Sequence, residues 1–207
     1  MHALLINPYI YDFAAYNFWS SPIGLLYIGS VLKINGFDVT LIDCLDVVDE
    51  KRKSDGRAPF LKKRADKPEV IKDIKKHFKR YGISHDEFIK RLCSVEKPDI
   101  VLITTIMTYW YVSTKEVLDI TREIFPSSKI LLGGIYPSLC YEHANASMIN
   151  SDLVIKNTEI DKFYSFLEDT LNIKLSFKPS MYDFESLPFP CFDLYDKIDF
   201  VPLITSY

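Results

Sequence analysis

The sequence predicts an α/β fold: a doubly wound, Rossmann-like or flavodoxin-like sheet of five parallel strands in the order 2-1-3-4-5, with a helical insert and a C-terminal arm. Three observations carry that expectation. Short apolar runs recur that are continuous rather than alternating, as at Ala3–Ile6, Ile100–Ile103 and Ile130–Leu132, the pattern of strands buried on both faces. Between them lie stretches with apolar residues at i, i+3 and i+4, the helical period. The first strand, helix and strand also succeed one another within about forty residues, a βαβ unit whose crossover makes its strands parallel.

In chain order, Ala3 to Asn7 is the first strand, ended by Asn7 and Pro8, and an aromatic loop follows with Tyr9, Tyr11, Tyr16, Phe18 and Trp19. Pro22 opens a helix where its missing N–H costs nothing. Ile23, Leu26, Tyr27, Ser30, Val31 and Ile34 share one face of it, and Gly36 stops it. Val39 to Asp43 is the second strand. Residues 44–97 interrupt the alternation: a charged, turn-rich loop over Asp49–Lys67, a helix from Pro68 with Ile71, Ile74, Phe78 and Tyr81 on one side, and a helix opened by the capping box Ser84 and Glu87. Asp99 to Thr105 is the third strand, and a second capping box, Ser113 and Glu116, opens the next helix. Ile130 to Leu132 is the fourth strand, Leu139 to Met148 a weaker helix, Asp152 to Ile155 the fifth strand, and Thr158 to Leu171 the last helix. The pattern defines a domain over 1–171. Residues 172–207, with Pro179, Pro188, Pro190 and Pro202, read as a linker or arm, ending on a strand-like start at Leu203–Tyr207.

Composition sets the class. With 207 residues, 48% hydrophobic and 26% charged, the chain has the makeup of an ordinary globular protein. No apolar run approaches the ~18–20 residues of a membrane span, and the N-terminus lacks the basic region and cleavage site of a signal peptide, so a cytoplasmic location is expected. Cys44, Cys93, Cys140 and Cys191 are scattered without C-x-x-C spacing, which predicts buried, inert thiols and no metal cluster within this stretch. Charge is uneven. Residues 51–97 carry 16 Lys/Arg against 7 Asp/Glu, and the remainder 9 against 21. Little aromatic interleaving accompanies the basic residues, so nucleic acid is disfavoured, and a solvated face or a surface docking an acidic neighbour is expected.

Chemistry concentrates at one stretch, Lys129 to Pro137, where a buried strand runs into Gly133 and Gly134. Ligands of doubly wound sheets sit beyond the carboxyl ends of the strands. A glycine pair there is either a floor for a ligand or a tight turn into a helix. Tyr109, Trp110, Tyr111 and Tyr136 flank the same region and would either stack on a ligand or fill its space. His143 reads as a helix-surface residue. A phosphoacceptor receiver would need acidic residues where the chain has Asn7-Pro8 and Thr104-Thr105, and a flavin phosphate loop is missing after the first strand.

A set of short motifs occurs in a telling order: Pro22–Ile28, Lys97–Val101, Leu132–Pro137, Ser151–Ile155, Phe184–Pro190 and Ile204–Tyr207. Together they resemble the N-terminal cobalamin-binding-type domain of class B radical S-adenosylmethionine enzymes, over most of the chain except 44–97. The resemblance implies an accessory domain that presents cobalamin or covers a C-terminal barrel, the chain's expected partner. That barrel would carry the [4Fe–4S] cluster and S-adenosylmethionine beyond Tyr207, so no catalytic residue is expected here. It implies Thr104, Thr105 and Ile106 at the end of the third strand, with Gly133, Gly134 and Tyr136, as the residues around cobalamin.

Two departures accompany it. The D-x-H-x-x-G motif that supplies a lower axial ligand is absent, since Asp12 precedes Phe13 and Ala14. The family's frequent G-E after the fifth strand is replaced by Lys156 to Glu159. A degenerate domain, serving as scaffold or substrate-recognition module without cofactor, is the alternative: a crevice filled by aromatic rings would favour it, and an open crevice floored by glycine would favour cobalamin.

Overall fold

The computed structural model describes residues 1–18, 21–180, 183, 185–198 and 200–202. Trp19, Phe184 and the strand expected at Leu203–Tyr207 lie outside the described residues. In chain order the elements are β1 (His2–Asn7), β2 (Ile10–Asp12), α1 (Ile23–Ile34), β3 (Asp38–Asp43), β4 (Lys62–Arg64), β5 (Lys79–Tyr81) and α2 (His85–Ser94). They continue with β6 (Ile100–Thr105), α3 (Tyr111–Ile124), β7 (Lys129–Gly134), α4 (Ile135–Leu139), α5 (Tyr141–Ser147), β8 (Leu153–Val154) and α6 (Ile160–Leu171).

Five strands pair in parallel in the order β3-β1-β6-β7-β8, the expected 2-1-3-4-5. The continuous apolar runs are explained by what covers them. Successive side chains alternate between faces: Leu4, Ile6, Val101, Ile103, Ile130 and Leu132 pack with Phe88 and Leu92 of α2 and with Val117 and Leu118 of α3. Ala3, Leu5, Ile100, Leu102 and Leu131 pack with Leu26 and Leu32 of α1 and with Phe163 and Leu167 of α6. Each fully buried side chain of this size contributes about 1.5–3 kcal/mol, so both faces must be apolar.

The region between β3 and β6 differs from expectation. The helix from Pro68 does not form; a short 3-10 turn at Glu69–Ile71 is followed by β5. Val70 is 91% exposed and Ile74 41%, whereas Phe78 and Tyr81 are buried, so the apolar residues do not share one covered side. Instead Phe78 stacks on Tyr11 with ring centroids 5.9 Å apart, and the Tyr81 hydroxyl donates to Phe13 O at 3.2 Å. β2, which emerges from the stretch expected to be a loop, forms with β5 and β4 a separate antiparallel sheet in the order β2-β5-β4. Pairing across more than sixty residues thus overrides a weak helical pattern. The second expected helix is present as α2, and Ser84 Oγ accepts from Glu87 N–H at 3.1 Å.

Three further expectations need correction. Ser113 does not cap a helix: α3 begins at Tyr111, and the fully buried Ser113 donates its hydroxyl to Trp110 O at 2.7 Å. The helix expected over 139–148 is present as α5, Tyr141–Ser147, and a separate short helix, α4, precedes it over Ile135–Leu139. Cys44 and Cys191 are buried, but Cys140 is half-buried and Cys93 exposed.

Beyond α6, the chain lies against α1. Asn35 Oδ1 accepts from the N–H groups of Ser176 and Phe177 at 2.8 and 3.0 Å. Ser30 donates to Phe189 O at 2.6 Å. Cys191 occupies a notch at Gly29, where an added Cβ would stand 2.5 Å from Cys191 Sγ.

β7 extends through both glycines, with Thr104 opposite Gly133 and Thr105 opposite Gly134. Gly134 has φ +99°, and an added Cβ would collide with Thr105 O, Thr105 N (2.7 Å) and Thr104 Oγ1 (2.8 Å). Backbone cannot retreat as a flexible side chain can. Gly134→Ala is therefore expected to lower stability in urea by about 2–4 kcal/mol. Gly24→Ala, inside α1 at a position where an added Cβ meets nothing within 4 Å, should leave the urea midpoint unchanged or slightly raised, as alanine favours the helix over glycine.

Candidate functional site

The carboxyl ends of β6, β7 and β8 open into a cavity of about 420 Å³ on the α1/α6 side of the sheet, within the size range of small-molecule sites. Thr104, Thr105 and Ile106 form one wall, Gly133 and Gly134 the floor, and the first turns of α1 the opposite wall, with Ile155 and Phe163 closing the side. The lining is mainly apolar. Gly133 is open to it: an added Cβ would touch only Ile155 Cγ1, at 3.8 Å. Gly24, on the α1 side of the cavity, is likewise unobstructed. The two glycines of the pair therefore do different work: Gly134 admits the backbone of β6, and Gly133 leaves room for something that is not protein.

Five of the six expected site residues converge here. Among them Thr105 is already committed, since its Oγ1 accepts from Tyr136 N–H at 3.2 Å. Thr104 shares the face of Leu102 and lines the cavity with its hydroxyl unengaged by the described residues.

Tyr136 is the exception. The turn at Gly134 carries it to the opposite face, where it is 1% exposed, stacks on Tyr111 at 5.8 Å and has its hydroxyl 2.6 Å from His143 Nδ1. Burial pushes the Tyr136 phenol up to about 12. His143 is exposed on α5, the helix-surface position expected of it, and its ring is also the partner of this buried phenol. Trp110 donates Nε1–H to Asp12 Oδ2 at 2.9 Å, Tyr109 is 58% exposed, and none of these rings lines the cavity. The filling expected of Tyr109, Trp110, Tyr111 and Tyr136 is thus not what the described residues show.

Sequence reasoning overlooked the contributions of Pro22 to Ile28 and of Phe163. A signal existed: Ile23 to Ile28 carries no charged or hydrogen-bonding side chain except the Tyr27 phenol, and a helix apolar all round must be covered on more than one side. Lys156, at the rim, holds its Nζ 4.6 Å from the Tyr141 ring centroid, and its N–H donates to Glu159 at 3.1 Å. The departure from G-E is accommodated as a local turn.

A second, polar cavity of about 280 Å³ lies at the end of β3, between the arm and the loop after β3. Its centre is Asp43, which accepts from Asn7 Nδ2 at 2.9 Å, Leu45 N–H at 2.9 Å and the Tyr195 hydroxyl at 2.7 Å. Arg91 beside it spends its guanidinium on Asp46, Glu87 and the Asp43 carbonyl. These groups satisfy one another, which makes the cluster a fastening point for the arm and α2. Among the described residues, no group of three or more His, Cys, Asp or Glu is arranged to hold a metal, and no helix is long and apolar enough to cross a membrane.

No protein-family model and no curated protein matches the sequence. Among solved structures, the fold is similar to part of the radical S-adenosylmethionine methyltransferase TsrM from Kitasatospora setae, determined with its tryptophan substrate and an S-adenosylmethionine analogue bound. The TM-score is 0.51 at 12% identity, over 90% of this chain and 29% of that enzyme. This likeness concerns the α/β fold, and the chain spans under a third of the enzyme's length.

Asp43 yields a pH-dependent prediction. Burial raises its carboxyl above the ordinary value, against the lowering effect of the Tyr195, Leu45 and Asn7 hydrogen bonds. A carboxyl with a raised folded-state pKa loses stability as pH rises through that value. Tyr195→Phe removes one of the lowering bonds and raises it further. The substitution should cost about 1–2 kcal/mol at pH 7 and markedly less at pH 4, measured by urea unfolding at the two pH values.

Proposed function

We propose that this chain is the cobalamin-binding-type accessory domain of a radical S-adenosylmethionine enzyme, presenting cobalamin to a barrel domain or covering its mouth. The open, apolar cavity floored by Gly133 carries this reading, because the competing scaffold role rested on aromatic rings filling that crevice. The fold likeness to part of a radical S-adenosylmethionine methyltransferase supports it.

The residues present fit the tail of the cofactor better than its ring. A cavity of about 420 Å³ accommodates a flat base with its sugar and is too small to enclose a corrin. Thr104, Ile106, Gly133 and the first turn of α1 would hold that tail, with the Thr104 hydroxyl as its polar contact and Thr105 supporting the wall. None of the four histidines lines the cavity. His2 bonds to Thr40 at the other end of the sheet and His85 pairs with Glu116 at 3.0 Å, so the histidines of this chain would offer no imidazole to a group held in this cavity. When bound, cobalamin would supply a cobalt able to carry a methyl group or an electron, while the [4Fe–4S] cluster and S-adenosylmethionine would belong to the barrel.

Titration with hydroxocobalamin followed by gel filtration tests the reading. Co-elution of the corrin absorbance with the protein is expected at micromolar concentrations, without the spectral shift of an imidazole-ligated cobalt. Gly133→Leu, which projects a side chain into the cavity, should weaken retention about tenfold or more with an unchanged melting temperature. Failure of retention both by this chain and by the chain joined to its barrel would favour the scaffold instead.

A further inference from the structure

The small β2-β5-β4 sheet has an unusual edge. β4 is Lys62-Lys63-Arg64, exposed throughout. Its register on β5 sets Lys63 opposite Arg80 and Arg64 opposite Lys79. Like charges directly opposite across a ladder are destabilising. The Gly82 N–H to Leu61 O and Ala65 N–H to Phe78 O bonds flank Lys63 and Arg80 at two-residue intervals, so those two form a hydrogen-bonded pair. Arg64 and Lys79 therefore occupy the alternate arrangement, in which facing side chains approach more closely. Neither Lys62, Lys63, Arg64 nor Lys79 forms an ion pair among the described residues. Lys79 has Asp12 across from it on β2, but that carboxylate is taken by Trp110 Nε1–H and the Phe13 N–H.

The same alternation fixes the backbone. Since Lys63 directs its N–H and C=O into β5, Lys62 and Arg64 direct theirs outward, away from the sheet. Two donors and two acceptors are thus presented to solvent beside an array of uncompensated cations. Lysines at an edge ordinarily discourage pairing with another strand. That deterrent becomes an attraction when the incoming strand is acidic, and the 16 Lys/Arg against 7 Asp/Glu of residues 51–97 extend the cationic field around it.

We infer that β4 is a strand-addition site for an acidic, extended peptide segment of a protein partner or substrate, which pairs with the outward groups of Lys62 and Arg64 and is held by Lys62, Lys63, Arg64 and Lys79. A peptide is favoured over single-stranded nucleic acid because the rings nearest β4 in the sequence and on β5, Phe60, Phe78 and Tyr81, are at most 8% exposed and offer no open face for stacking. Strand addition uses main-chain bonds for affinity and alternate side chains for selection, which suits an edge offering both.

The test uses the whole 207-residue chain and fluorescence anisotropy with a labelled peptide of alternating glutamate and valine. A lysine–valine counterpart and an oligothymidylate of matched charge are the comparators. The acidic peptide should bind best. Arg64→Pro should weaken it about fivefold or more beyond Arg64→Gln, because both remove the charge and only proline removes the outward N–H. Circular dichroism melts of the two variants establish that the sheet persists. Independently of either variant, the peptide should slow amide hydrogen exchange at Lys62 and Arg64 and not at the already paired Lys63. Oligothymidylate binding as tightly as the peptide would overturn the proposal. So would a peptide that leaves exchange at Lys62 and Arg64 unchanged, or a chain that self-associates through this edge and excludes the peptide.

Discussion

The close approach of β7 to β6 at Gly134 is the constraint on which the rest of the site depends. Thr105 and Gly134 are opposite each other at the last rung of a parallel ladder, and Gly134 alone of that pair can take φ +99° without a side chain striking the Thr105 backbone. The turn it allows sends Tyr136 beneath the sheet on the α3 side, where Thr105 Oγ1 accepts its N–H. Gly133, one residue earlier, is left facing the other side, where an added Cβ would meet only Ile155 Cγ1, at 3.8 Å. One backbone conformation thus separates a filled face from an open one, and the cavity follows from that separation.

How far this could be read from sequence depends on the range of the interactions involved. Ile100 to Ile103 announced a strand covered on both sides because the requirement is local and each residue meets it independently. Ser84 announced a helix start because the bond it makes spans three residues. Ser113 carries the same local motif and does not cap, since the helix starts nearly a turn earlier, at Tyr111, which leaves Ser113 inside its first turn and Glu116 bonded to Tyr11 and His85. β5 was hidden for a related reason: its partners are β2 and β4, and its pairing with β2 crosses more than sixty residues. The glycine pair was legible as a site, but the division of labour between Gly133 and Gly134 was not, because it depends on which glycine faces β6 and which faces α1. The resemblance implies Tyr136 at the crevice, and the left-handed Gly134 sends it to the other face.

The two cavities differ in a way that bears on their roles. In the polar one, Asp43, Asp46 and Arg91 have their hydrogen bonds to one another and to Tyr195, and a group already satisfied gains little by exchanging a protein partner for a ligand. The apolar cavity has the opposite character: contact area without a side chain to supply it, and hydroxyls such as that of Thr104 unengaged among the described residues. Dispersion and hydrophobic contact are forfeited wherever a wall faces empty space. The energetic incentive for a ligand is therefore concentrated beside Gly133 and is small beside Asp43.

The arm links these two regions through α1. It is fastened to the far side of that helix by Asn35, Ser30 and the notch at Gly29, and to the end of β3 by Tyr195. The cavity-facing side of the same helix carries Ile23, Gly24 and Ile28. A displacement of α1 toward or away from Gly133 would have to carry the arm with it or break the Ser30 and Asn35 bonds. The arm and the cavity thus share α1 as a common wall, seated on the sheet by Leu26 and Leu32, so the position of the arm and the width of the cavity are coupled through one helix.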